Sequence, residues 1–115
     1  MIQTRKKIRV INKAIDILKE HKWVRDSEAV DEEGADVKPF SAKAVCFCAY
    51  GALVRAQKSD KVSYDEASHV ADNILHDVKS AAHVDLVSFN DHKASGKRDV
   101  IRVLQKTAKH LTAGA

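Results

Sequence analysis

Three stretches of this chain repeat their apolar residues at steps of three and four. Ile8, Ile11, Ile15 and Leu18 form the first set. Ala67, Val70, Ala71, Ile74, Val78 and Ala81 form the second, and Val100, Ile101, Leu104, Ala108 and Leu111 the third. That spacing gathers each set on one face of an α-helix and leaves the other face polar. No such stripe can be buried by its own helix, so the helices must pack together and the fold is mainly α. One proline and four glycines among 115 residues are too few turn-formers for a sandwich of many short strands. The length suits a single domain, residues 1–115, that needs no disulfide or metal to fold.

The boundaries follow from capping and turn chemistry. The first helix is expected from about Thr4 to His21, with Thr4 as N-cap. The stretch "WVRDSEAVDEEGADVKPF" then alternates weakly, and "DEEG" reads as a turn with Gly34 at positive φ. It predicts a short β-hairpin between helices 1 and 2, Glu28–Val30 against Ala35–Val37. A lone hairpin is marginal in water, so it should pack on the helices through Trp23, Val30, Val37 or Phe40. Pro39 ends the strand, and Ser41 is placed to cap the second helix. That helix, about Ala42 to Gln57, contains "AVCFCAYGAL" and is apolar nearly all round, as a helix buried on most faces is.

"SYDE" at Ser63–Glu66 is a capping box that opens a third helix, about Tyr64 to Ala82. The segment "VDLVSFNDHKASG" breaks the pattern and predicts mostly loop, with room for a brief extended piece at Val84–Ser88. Ser95 caps the last helix, about Gly96 to Leu111, and "TAGA" is expected to fray. The predicted architecture is a compact bundle of about four helices with the hairpin between the first two.

Several function classes recede on composition. No run approaches ~18 apolar residues, so no membrane-spanning helix is expected. The N-terminus lacks the continuous apolar centre of a signal peptide. With only two cysteines, the expected setting is the cytoplasm. The net charge of +4 is mild, because 16 acidic residues offset most of the 20 basic ones. The surplus lies at the two ends: Arg5, Lys6, Lys7, Arg9 and Lys13 early, Lys93, Lys97, Arg98, Arg102, Lys106 and Lys109 late. Terminal helices lying side by side would join these into one basic face and give weak, salt-sensitive nucleic-acid binding. Aromatic residues for base stacking are scarce and fall mostly in core segments.

The glycine of "AVCFCAYGAL" raises a separate question. In mid-helix Gly51 costs about 0.5–1 kcal/mol against alanine. Such a glycine usually means that another backbone or ring comes close, here the Phe89–Asp91 segment or a neighbouring helix.

The combination of a first helix, Trp23, a turn on Gly34, "CAYGAL" at Cys48–Leu53 and "FND" at Phe89–Asp91 is familiar. It resembles an uncharacterised bacterial and phage domain-of-unknown-function family with a Cys-Ala-x-Gly-Ala-Leu helix and a late Trp/Phe-Asn-Asp motif. The resemblance spans roughly Ile8 to Ala108. It implies an α-rich fold and singles out Cys48, Gly51, Asn90 and Asp91. It implies no activity.

Cys48, His92 and either Asn90 or Asp91 are the types a thiol nucleophile, its base and an orienting group require. Against this, a Cys48 two turns inside a helix gains little from the helix dipole, and free cysteine is commonly buried. The packed thiol is the favoured reading. Cys46 and Cys48, two apart on a helix, would diverge by about 200° and cannot share a metal. His69, Asp72 and His76 share a flank of the third helix but lack a fourth ligand. Asn90 and Asp91 suit a bracing turn before the last helix. No cofactor is implied. The expected function is a small non-enzymatic interaction module that binds another macromolecule, a protein; the resemblance implies a phage–host setting. The alternatives are a cysteine-dependent hydrolase using Cys48, His92 and Asp91, and the weak nucleic-acid binder.

Overall fold

The computed structural model describes residues 2–114. Helix α1 spans Thr4–Glu20, and strands β1, β2 and β3 are Lys22–Trp23, Ala29–Val30 and Cys46–Phe47. Helix α2 is Ala49–Arg55, followed by a 3₁₀ turn at Lys58–Asp60. Helix α3 is Tyr64–Ala82, α4 is the single turn Leu86–Ser88, a π-helical turn follows at Phe89–Lys93, and α5 is Lys97–Gly114. The domain is mainly helical around one core. No helix of the described residues is long and apolar enough to cross a membrane.

The three predicted stripes lie on the core faces of α1, α3 and α5, except that Ile8 is only half-buried and Leu111 packs half-buried against the core. Val10, Ile11, Ala14, Ile15 and Leu18 are buried on α1, and Val100, Ile101, Leu104, Thr107 and Ala108 on α5. On α3 all six predicted stripe residues, Ala67 through Ala81, are buried. Helix α3 begins where its capping box predicts: the Ser63 side chain accepts the Glu66 amide at 3.1 Å. Helix α5 starts beside the end of α1, because Lys97 Nζ donates to the carbonyls of His21 at 2.9 Å and Lys19 at 3.4 Å. These are carbonyls that a helix end leaves without intrahelical partners.

The hairpin forms and turns on Gly34, whose φ is +83°. Asp31 and Val37 amides donate to the carbonyls of Ala35 and Ala29, and the Asp31 carboxylate accepts the amides of Glu33 and Ala35. Val30 is buried, and Trp23, Val37 and Phe40 pack half-buried against the core.

The second helix differs from expectation. It starts at Ala49 rather than Ala42, because Cys46–Phe47 is the centre of a three-stranded sheet of order β1-β3-β2. Strand β1 runs parallel to β3, with Trp23 opposite Phe47, and β2 runs antiparallel, with Val30 opposite Cys46. An apolar run with no polar phase fits a buried strand as well as a buried helix, and here the partners on both sides decide. Ser41 consequently caps no helix; its hydroxyl accepts the Lys43 amide in a turn.

Smaller corrections concern helix ends. Gln3, not Thr4, is the N-cap of α1. The stretch expected as loop or strand at Val84–Ser88 makes a helical turn instead, with Asp85 accepting the Ser88 amide at 3.1 Å and Leu86 buried as its anchor. At the start of α5 the Asp99 carboxylate accepts the Ser95 amide at 2.8 Å. The helix then continues through "TAG" to Gly114; Ala115, the last residue of the stretch expected to fray, lies outside the described residues.

Candidate functional site

Gly51 and Asn90 fix the local geometry from which the site grows. The Glu28 carbonyl, at the entry to β2, accepts the Cys48 amide at 3.2 Å and lies against Gly51. A Cβ at position 51 would fall on that carbonyl oxygen. The close approach expected at Gly51 is therefore real, but it is made by the Glu28 backbone and not by the Phe89–Asp91 segment.

Asn90, 1% exposed, joins three segments through its side chain. Its Oδ1 accepts the Trp23 indole N–H at 2.7 Å and the Ala49 amide at 2.9 Å. Its Nδ2 donates to the Val24 carbonyl at 3.2 Å and to Asp91 Oδ1 at 3.0 Å. Asp91 Oδ1 also accepts the amide of Asp26, whose φ is +63°. Both stretches singled out by the resemblance, "CAYGAL" and "FND", thus meet at the start of α2.

Above this junction lies an open groove of about 930 Å³. Cys48, Tyr50 and Asn90 line it from the junction, Tyr64, Asp72 and Leu75 from α3, and the 26–28 and 36–39 segments from the hairpin side; Val87 and Asp91 complete it. Five carboxylates face it, Asp26, Glu28, Asp36, Asp72 and Asp91, against one basic residue, Lys38. The ion pairs among the described residues are Lys7–Asp77, Arg9–Asp60 and Arg102–Asp99, so no groove carboxylate belongs to one. In a chain of net charge +4 the acidity is strongly localised. The rim also carries Val87, a large apolar side chain that is 41% exposed.

The two groove tyrosines are tied to this acidity. Tyr64 donates its hydroxyl to the Glu28 carboxylate, with both oxygens at 2.8 Å, and Tyr50 donates to Asp72 at 3.0 Å. Burial pushes the Tyr50 hydroxyl up to about 12, and the Asp72 carboxylate adds to the shift. Tyr64 is raised by burial and by Glu28. Both phenols stay protonated and act as donors, and each carboxylate keeps spare lone pairs for a further donor.

Cys48 is not inside a helix but is the N-cap of α2, its sulfur accepting the Gly51 amide at 3.2 Å. This position is where a thiol can be activated. Burial dominates nonetheless and pushes the thiol up to about 11, with Glu28 and Asp91 adding to the effect against the amide bonds that oppose it. Of the predicted catalytic set, Cys48, Asn90 and Asp91 line the groove, whereas His92 is exposed and outside its lining. With the thiol buried and His92 outside the groove lining, Cys48 should alkylate slowly. In a Cys46→Ala background, iodoacetamide at pH 7.5 should modify Cys48 at well under a tenth of the rate of a free thiol, rising as pH approaches 11. Modification faster than a free thiol near neutral pH would contradict the buried, protonated state.

The other predicted residues lie away from this groove or are engaged singly. His69, Asp72 and His76 are exposed, Asp72 is bonded to Tyr50, and among the described residues no three His, Cys, Asp or Glu side chains are placed to hold a metal. Lys97, Arg98 and Arg102 begin α5 beside the C-terminus of α1, whereas Arg5, Lys6 and Arg9 lie at its N-terminus. Helices α1 and α5 do lie side by side, but they run antiparallel, so these two groups are separated by about 21 Å along α1. Lys97 is committed to carbonyls and Arg9 to Asp60, with two bonds of 3.2 Å.

Composition spread over the whole chain hid the groove. The available signal was local: "RDSEAVDEEGADV" carries six acidic residues against one arginine. No curated protein and no solved structure matches the chain. One family model does, over residues 3–110. With nearly its whole length matched, the chain belongs to the family of unknown function DUF6197.

Proposed function

We propose that this chain is a non-enzymatic binding module whose groove takes a short, extended, basic segment of a partner protein. The observation that carries the reading is the set of five groove carboxylates without an ion pair among the described residues. Like charges gathered on low-dielectric walls focus a field that attracts the opposite charge. An incoming chain of lysines or arginines supplies the missing counter-charge.

The dimensions support an extended occupant. From Tyr64 to Leu75, the α3 wall rises about 16 Å at 1.5 Å per residue. An extended chain at about 3.3 Å per residue covers that length with roughly five residues. Val87 and Leu75, both in the groove lining, offer it apolar contact. The protonated Cys48 thiol gives the groove no nucleophile near neutral pH, which favours binding over hydrolysis.

Calorimetric titration with an acetylated pentalysine amide tests the reading. Binding should be saturable and should weaken as salt screens the charges. The double variant Asp26→Asn, Asp72→Asn should weaken it about threefold or more, the scale of losing two exposed charge contacts. Asparagine tolerates the positive φ at position 26, so the fold is kept. Equal affinity for the variant, or equal affinity for acetylated pentaglutamate amide, would remove the proposal.

A further inference from the structure

The groove already holds one ammonium group, supplied by the chain itself. Lys38 Nζ sits 4.4 Å from the centroid of the Tyr64 ring. Lys38 is exposed, lies in no ion pair among the described residues, and is the one basic residue lining the groove. The ring beneath it is fixed by the double contact of its hydroxyl with Glu28. A cation over a ring face is attracted by the ring quadrupole, and the adjoining carboxylate reinforces the attraction. Tyr64 and Glu28 together therefore make a seat for an ammonium.

From this we infer that the Tyr64 face is the subsite for a lysine side chain of the bound segment, and that Lys38 occupies it in the free protein as a surrogate that must leave. The inference rests on the reading of the groove as a site for a basic segment. The backbone around Lys38 is built to stay while the side chain moves. The Val37 amide is bonded to the Ala29 carbonyl at 3.1 Å, and the Arg55 guanidinium holds the carbonyls of Pro39 at 2.9 Å and Ser41 at 2.8 Å. Between these anchors the Lys38 side chain alone has to swing off the ring, a rotamer change that exposed side chains make in picoseconds to nanoseconds. The contact thereby acts as a weak internal competitor: it lowers affinity for singly charged ligands and selects those with enough further charge to displace it.

Removing the competitor should raise affinity. Lys38→Met should bind acetylated pentalysine amide about two- to fivefold more tightly than the parent, the worth of one exposed cation–ring contact. Lys43→Met serves as control, since it removes the same charge from the same connecting segment outside the groove lining. It should change affinity less than half as much on a logarithmic scale. The direct readout is the Lys38 ε-methylene proton resonance of the parent, which the Tyr64 ring current should shift upfield. Saturation with pentalysine should return it toward its position in an unstructured chain. If pentalysine binds while that resonance stays shifted, or if Lys38→Met gains no more than Lys43→Met, the surrogate role is overturned and the basic-segment groove stands. If pentalysine binds neither the parent nor Lys38→Met, both proposals fall. Binding detected in Lys38→Met alone supports both, with Lys38 as a stronger competitor than expected.

Discussion

Gly51→Ala should destabilise the fold by about 3 kcal/mol, the upper end of the usual range for forcing one extra group into a filled space. The new methyl would occupy the position of the Glu28 carbonyl oxygen, which is backbone and also accepts the Cys48 amide. Either that hydrogen bond breaks or the entry to β2 shifts away from α2. Alanine returns about 0.5–1 kcal/mol through helix propensity, which is too little to reverse the sign. The midpoint of urea unfolding reads the result directly. A variant as stable as the parent means that Glu28 moves aside freely, and the packing of the 26–28 segment over α2 would have to be reconsidered. The consequence reaches the groove as well, because Asp26 and Glu28 hold their places through this contact.

Asn90→Ala should cost a similar amount, about 3–4 kcal/mol. The truncation leaves the buried Ala49 amide and the Trp23 indole N–H without their common acceptor, and each unsatisfied buried donor costs about 1–3 kcal/mol. Asn90→Asp separates the two halves of the side chain's role. It keeps an acceptor for Trp23 and Ala49 but loses the donor to the Val24 carbonyl and sets a second carboxylate against Asp91. It should therefore also destabilise, and less so in acid, where protonation relieves the repulsion. Urea midpoints of the two variants near neutral pH and near pH 4 check this. Parent-like stability of Asn90→Ala would show that the junction of β1, α2 and the π turn does not depend on this side chain.

What the sequence disclosed and what it withheld divide along local and non-local physics. The stripes of α1, α3 and α5 are local patterns with a polar phase, so periodicity alone placed them, and the Ser63 cap fixed one boundary to the residue. "AVCFC" has no polar phase. Its strand is two residues long and exists because Lys22–Trp23 and Ala29–Val30 flank it, which no window of that size contains. Gly51 signalled a close neighbour, but the identity of that neighbour, a carbonyl more than twenty residues earlier, is a tertiary fact. Asn90 was legible as a bracing residue by type; its four partners were not. The groove was the least legible feature. Its carboxylates come from positions 26, 28, 36, 72 and 91, and a near-balanced total charge conceals them until the hairpin segment comes up beside α3.

The proposed docking of a basic segment on one face of this small helical domain is checked by mapping where such a segment sits. Amide chemical shifts of the isotope-labelled protein, followed during titration with acetylated pentalysine amide, locate the contact. Saturable shifts should concentrate at Asp26–Glu28, Asp36–Lys38, Tyr64, Asp72, Val87 and Asp91, with Lys97–Arg102 unchanged. Shifts scattered over the surface, centred on another face, or absent at low salt would contradict it.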